Sequence, residues 1–168
     1  MSRFATIKHI NTFKKVHYYS ILFEDEEDSL FEQFINKYIE DEGTKEELVE
    51  MVEWIRKIGD EIGAKTKYFR HEGATSDAKA LPPPARFIEG AAGSLRLYCL
   101  VLSEQVVVLY NGGVKTKNKA QDCPNVSSHF RLANKISKVI TQSFIEKEIR
   151  WNEEDTDITF DDGFELVL

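Results

Sequence analysis

The sequence predicts an α+β fold: an N-terminal strand and a helical hairpin packed on a mainly antiparallel sheet, then a C-terminal helix and a terminal β-hairpin. Three observations carry the prediction. Residues 95–102 and 106–110 are β-rich runs joined by the short polar turn Ser103-Glu104-Gln105, which is hairpin length. Residues 30–62 hold apolar side chains at helical spacing, interrupted at Glu42-Gly43. Helices grouped ahead of the strands, rather than alternating with them, indicate α+β.

The elements follow in order. Residues 4–15 read equally as a strand or a loose arm, whereas His17–Phe23, HYYSILF, reads as a strand. The acidic run 24–28 leads into a helix whose apolar face is Leu30, Phe31, Phe34, Ile35, Tyr38 and Ile39; acids suit the positive end of its dipole. Thr44-Lys45-Glu46-Glu47 has the T-x-x-E form of a capping box. It opens a second helix with Leu48, Met51, Val52, Ile55 and Ile62 inward, ending near Gly63. Residues 65–70 suggest another strand, and residues 71–85, with Pro82-Pro83-Pro84, a loop. A strand is expected at 86–89, turning through 90–94 into the hairpin. Alternation in the hairpin's first strand sets Leu95, Leu97, Cys99 and Val101 on one face, and Arg96, Tyr98, Leu100 and Leu102 on the other. The second strand has no polar residue before Asn111, as a strand covered on both faces requires, and Asn111-Gly112-Gly113 is expected to end it in a turn. Ser127 or Ser128 caps a last helix to about Glu148, and residues 157–168 form a hairpin about Asp162-Gly163.

At 168 residues and 42% apolar content, the chain fits one folded domain. No apolar run approaches the ~20 residues of a membrane span. The start, MSRFATIKHI, lacks a signal-peptide core, so no membrane association and a reducing cytoplasm are expected. Cys99 and Cys123 offer neither a disulfide framework nor metal-ligand spacing, and the four histidines add none, so no metal and no cofactor are expected. Dinucleotide, P-loop and nucleophile-elbow motifs are absent from the sequence.

Charge is unevenly placed in a chain of net −7. Residues 84–150 carry ten Lys/Arg against five Asp/Glu, while residues 151–168 carry seven acids and no base. The basic middle points to an anionic partner, or to unevenly distributed surface charge. Its constellation is Arg86, Arg96, Lys115, Lys117 and Lys119, with Tyr98 on the face of Arg96. Guanidinium makes two-point contacts with phosphate, and such cations stabilise charge on a phosphodiester undergoing displacement. The plain alternatives are a buried Arg96 paired with the acidic helix start and a solubilising lysine loop.

The order of elements resembles the RelE/ParE/HigB-like toxin superfamily, particularly its phage-derived HigB-type branch. Leu95-Arg96-Leu97-Tyr98-Cys99 looks like that branch's Y-R-v-l-Y strand, and VVVLYNGGVKTKNK (106–119) like its hydrophobic strand and lysine loop. Arg86, in PARFIE, stands near the E-L-R arginine, and residues 128–148 correspond to the closing helix. Gly113 stands where the family usually has Phe, and KTK where it has KKT. The likeness covers about residues 17–148, within a domain drawn over 1–150 with 151–168 as its acidic β-hairpin extension.

The resemblance implies a toxin of a toxin–antitoxin system, cutting messenger RNA on the ribosome without a metal. The 2′-hydroxyl attacks the adjacent phosphate while the protein moves protons and stabilises charge. Arg86 and Arg96 would bind the phosphate, and Lys115, Lys117 and Lys119 the backbone. Tyr98 and His129 are the candidates for proton transfer. The implied partners are a helix-turn-helix antitoxin and ribosome-bound messenger RNA. Two rivals stand beside this reading: a catalytically inactive relative that binds protein, and a regulatory module whose basic cleft takes an anion. The acidic tail is expected to add to the sheet or fold over its edge, with carboxylates near the basic surface.

Overall fold

A computed structural model describes residues 2–71, 77–82, 94–115 and 124–168. The chain opens with a hairpin. β1 (Phe4–Thr12) runs antiparallel to β2 (His17–Phe23), and Phe13 N–H donates to Val16 O at 2.9 Å across the turn. The ambiguous N-terminal stretch is therefore strand through Thr12, with Ala5 and Ile7 buried at alternate positions.

α1 (Leu30–Ile39) begins at a true capping box. Ser29 Oγ accepts from Glu32 N–H (3.2 Å), and Glu32 Oε1 accepts from Ser29 N–H (3.1 Å). α2 (Lys45–Lys57) lacks the box expected at Thr44. The Thr44 hydroxyl donates instead to the Tyr38 carbonyl at 3.1 Å, tying α2 to the end of α1. Glu47 accepts from Leu95 N–H at 3.2 Å, so its carboxylate serves the sheet and not the cap. A π-helical turn (Ile58–Ile62) extends α2 to Gly63, whose φ of +94° ends it.

The expected strand at 65–70 becomes a 3₁₀ turn (Thr66–Tyr68) followed by β3 (Arg70–His71). Within the stretch read as loop, β4 (Lys79–Leu81) pairs with both β3 and β5 (Ser94–Ser103). The strand expected at 86–89 lies outside the described residues.

β6 (Val106–Lys115) does not stop at Asn111-Gly112-Gly113. Its ladder with β5 shifts register between the pairs Cys99↔Leu109 and Leu97↔Gly112, then continues to Ser94↔Lys115. A Cβ at Gly112 would fall 1.8 Å from the Arg96 carbonyl oxygen. Glycine there permits close approach of two backbones, where the sequence suggested a turn.

α3 (Pro124–Ile145) starts with proline, whose missing N–H costs nothing in a first turn. It ends in a Schellman closure: Glu148 N–H donates to Ser143 O (2.9 Å), Lys147 N–H to Phe144 O (3.1 Å), and Lys147 has φ of +64°. The tail pairs differently from expectation. β8 (Ile158–Phe160) joins β7 (Ile149–Trp151) in a separate two-stranded sheet, while β9 (Leu166–Val167) adds to β1. The turn at Asp162-Gly163 does form, with Gly163 at φ +82° and Phe164 N–H donating to Asp161 O. It links strands of two sheets and is not the tip of one hairpin.

The main sheet has the order β3-β4-β5-β6-β2-β1-β9 and is antiparallel except for the β2–β6 pair. With three α-helices among the described residues and a mainly antiparallel sheet, the fold is α+β. Each face of the sheet carries a core. Phe34, Tyr38, Leu48, Met51 and Ile55 of α1 and α2 cover Tyr18, Leu95, Leu97, Cys99, Val107 and Leu109. On the other face, α3 and the β7–β8 hairpin cover Tyr19, Ile21, Tyr98, Leu100, Val108 and Tyr110. Fully burying one such aliphatic or aromatic side chain contributes about 1.5–3 kcal/mol. Two tyrosine hydroxyls tie the layers together: Tyr18 donates to Ile55 O at 2.8 Å, and Tyr110 bonds Ser137 at 2.8 Å. Ser20 Oγ donates to Leu109 O and accepts from Phe31 N–H, joining the parallel pair to the start of α1.

Candidate functional site

The β5–β6 ladder carries three members of the predicted constellation, Arg96, Tyr98 and Lys115. Arg96 lies opposite Gly113, and Lys115 opposite Ser94, so the arginine strand and the root of the lysine loop are neighbours at one end of the sheet. Alternation along β5 sends Arg96 to the same face as Tyr98 and Leu100, the face covered by α3. Neither side chain reaches solvent. Arg96 is 2% exposed, and its Nη1 donates to the Leu95 carbonyl at 3.0 Å. Tyr98 is fully buried, its ring tilted against Phe130 of α3 with centroids 5.5 Å apart. Lys115 remains partly exposed at the end of β6. Arg86, Lys117 and Lys119 lie outside the described residues.

His129 precedes Phe130 on α3 and is half-buried. Burial, with Lys37 of α1 adding to it, lowers its pKa below the ordinary histidine value. The imidazole is therefore neutral at pH 7 and able to accept a proton. Cys99 is fully buried and its thiol is pushed far up by burial, which removes it as a ligand or nucleophile. Among the described residues, no three His, Cys, Asp or Glu side chains are grouped to hold a metal ion.

A second polar cluster escaped the sequence reading. His9 Nε2 lies 2.7 Å and His17 Nδ1 3.0 Å from the Thr12 hydroxyl, and His17 Nδ1 is 3.6 Å from Asp157 Oδ2. Tyr19 donates to Asp157 Oδ1 at 2.7 Å, and that oxygen also accepts from Ile158 N–H at 2.8 Å. One proton arrangement satisfies the chain: His17 Nδ1–H, beside the carboxylate, donates to Thr12, which donates to His9. Burial and the Asp157 carboxylate push the Tyr19 phenol well above its ordinary value. The effect is to pin the segment between β7 and β8 onto β2. Period-2 alternation in HYYSILF places His17 and Tyr19 on one face, but nothing local links them to Asp157.

The chain matches no protein-family model, and no curated protein or solved structure matches it.

Proposed function

We propose that this chain is a RelE/HigB-like toxin-superfamily protein that acts in the cytoplasm as a metal-independent endoribonuclease on ribosome-bound messenger RNA. The observation that carries the reading is the strand arrangement β4-β5-β6-β2, with the α1–α2 hairpin inserted after β2 and α3 following β6. It supplies the element order the resemblance calls for. The register Ser94↔Lys115 adds to it by bringing the R-L-Y strand beside the start of the lysine loop. With Arg96 and Tyr98 buried, direct contact with RNA falls to Arg86, Lys115, Lys117, Lys119 and His129. Phosphate neutralisation by the lysines gives affinity, and neutral His129 takes the 2′-hydroxyl proton. Arg96 holds the β5 backbone through the Leu95 carbonyl.

The same burial favours a second reading: a catalytically inactive relative that uses the fold to bind a protein partner, a helix-turn-helix antitoxin being the class expected. Induced expression separates the two. An endoribonuclease arrests growth and leaves messenger RNA fragments with mapped 5′ ends, and substitution of Lys115, Lys117 and Lys119 together by Ala relieves both effects. Harmless expression with intact messenger RNA and a stable protein complex overturns the enzymatic reading in favour of the second.

A further inference from the structure

We propose that the cleft between the β1–β2 turn, the segment after α2 and the β5–β6 turn binds a chain of linked phosphates. Lys14 and Lys15 come from the first of these, Gly63 and Lys65 from the second, and Glu104 and Gln105 from the third; together they line a cleft of about 510 Å³. Backbone hydrogen bonds stitch the three segments into one floor. Lys15 N–H donates to Gly59 O, Ala64 N–H to Glu104 O, and His17 N–H to Gln105 O, each at 2.7 Å. The positive φ of Gly63 turns the chain after α2 so that Lys65 follows directly at the rim.

Charge chooses the ligand. Three lysines and one glutamate line the cleft, in a chain whose net charge is −7. Among the described residues, none of the three lysines is held in an ion pair. Asp60, whose carboxylate accepts from Lys14 N–H at 3.4 Å, is engaged by Arg56 at 3.8 Å. Unmatched like charges repel, and a multivalent anion removes that repulsion while gaining attraction from all three. Ammonium groups bind phosphate as point charges with little directional demand, so flexible lysines on a fixed floor suffice. A single phosphate carries too little charge to answer three cations; a di- or triphosphate carries enough. The cleft lies at the Ser103↔Val106 end of the β5–β6 ladder, opposite the Ser94↔Lys115 end, so the proposal does not rest on the RNA reading.

Calorimetric titration of the full chain at low salt tests it, with inorganic tripolyphosphate, ATP free of divalent cation, and inorganic phosphate as probes. Tripolyphosphate is expected to bind more tightly than phosphate. Lys14→Gln, Lys15→Gln and Lys65→Gln should each weaken it by about two- to fivefold, and the triple variant by tenfold or more. Glu104→Gln should tighten binding by a factor similar to one lysine, because it removes the like charge from the cleft. Tighter binding of ATP than of tripolyphosphate names a nucleotide as the source, and equal affinity names the phosphate chain alone. The proposal is overturned by no binding of tripolyphosphate, by unchanged affinity in the triple variant, or by weakening in Glu104→Gln. RNA oligonucleotide binding at these lysines without tripolyphosphate binding overturns it equally.

Discussion

Arg96 occupies a position where a smaller or neutral side chain leaves a defect. Its guanidinium is buried, bonded to the Leu95 carbonyl and set opposite Gly113, which has no side chain to compete for the space. Removing an engaged buried cation usually costs far more than removing a surface one. Arg96→Ala is therefore expected to lose about 2–4 kcal/mol of stability. Lys115→Ala should lose about 0.5 kcal/mol or less. Urea unfolding midpoints check this, and equal midpoints would contradict it. Any loss of RNA cleavage in Arg96→Ala then has to be compared at equal folded fraction. Two titrations also belong to single residues. Glu32 is held below the ordinary carboxylate range by its bond from Lys8 at 2.7 Å and by Ser29. The unfolded chain binds its proton more readily, so the stability it contributes is present above the unfolded carboxylate value and lost as pH falls through the folded one. His129 has the same sign by another cause: burial depresses its pKa, so protonation favours the unfolded state below the ordinary histidine value. A stability profile should accordingly step down first below about pH 6.5 and again below about pH 4.5. His129→Gln should remove the upper step alone, and Glu32→Gln the lower; a profile unchanged by either substitution would count against these assignments.

Among the elements, the caps give the sharpest contrast. Ser29 accepts from the α1 backbone, and Ser29→Ala should cost about 1 kcal/mol. Lys147 closes α3 in a left-handed conformation that glycine adopts without a side-chain clash, so Lys147→Gly should stabilise by about 0.5–1 kcal/mol. Thermal or urea unfolding reads both; a destabilised Lys147→Gly would mean that its side chain holds the corner. Periodicity made β2, α1 and α2 legible in the sequence, as well as the two faces of β5, because apolar side chains recur there at each element's own period; on α2 only Val52, read as inward, is instead exposed. The errors fall where pairing is settled by distant contacts. β4 is three residues long, below the length at which alternation is recognisable, and it exists because β3 and β5 flank it. Gly112-Gly113 carries the composition of a turn, yet both lie in a strand, where the Arg96 carbonyl leaves no room for a side chain at Gly112. Thr44 and Glu47 have the spacing of a capping box, yet Tyr38 O and Leu95 N–H compete for them. For the site, strand alternation revealed that Arg96 and Tyr98 share a face, but not that α3 closes over it. The link from His17 and Tyr19 to Asp157 spans most of the chain and leaves no local trace.

Across the whole molecule, the acidic tail is bound into the fold at three levels. β9 extends the sheet beside β1 with Leu166 buried, a two-residue strand that covers part of an otherwise open edge. Ile158 of β8 is buried in the core beneath α3, and Asp157 holds Tyr19 and lies beside His17 on β2. Arg150 of β7, immediately before the tail, meets Asp161 at 3.4 Å, so part of the acid is answered by the residue that leads into it. Deleting residues 151–168 removes the strand paired with β1, the Asp157 partner of Tyr19 and two buried aliphatic side chains, Ile158 and Leu166, each worth about 2–5 kcal/mol by core-truncation standards. The truncated chain should fail to fold cooperatively, so deletion cannot distinguish a structural tail from one that masks the basic surface. Neutralising exposed carboxylates can. Glu153, Glu154 and Asp155 point to solvent from the β7–β8 connection, and Glu153→Gln, Glu154→Gln and Asp155→Asn together leave Asp157 in place. If the tail is a structural edge, the triple variant keeps the parent's unfolding midpoint. Its RNA binding should rise only by the general effect of lower negative charge, with equal gains when three exposed acids of α2, Glu46, Glu50 and Glu53, are neutralised instead. A gain confined to the tail variant, lost again at high salt, would show that these carboxylates compete with RNA for the lysines.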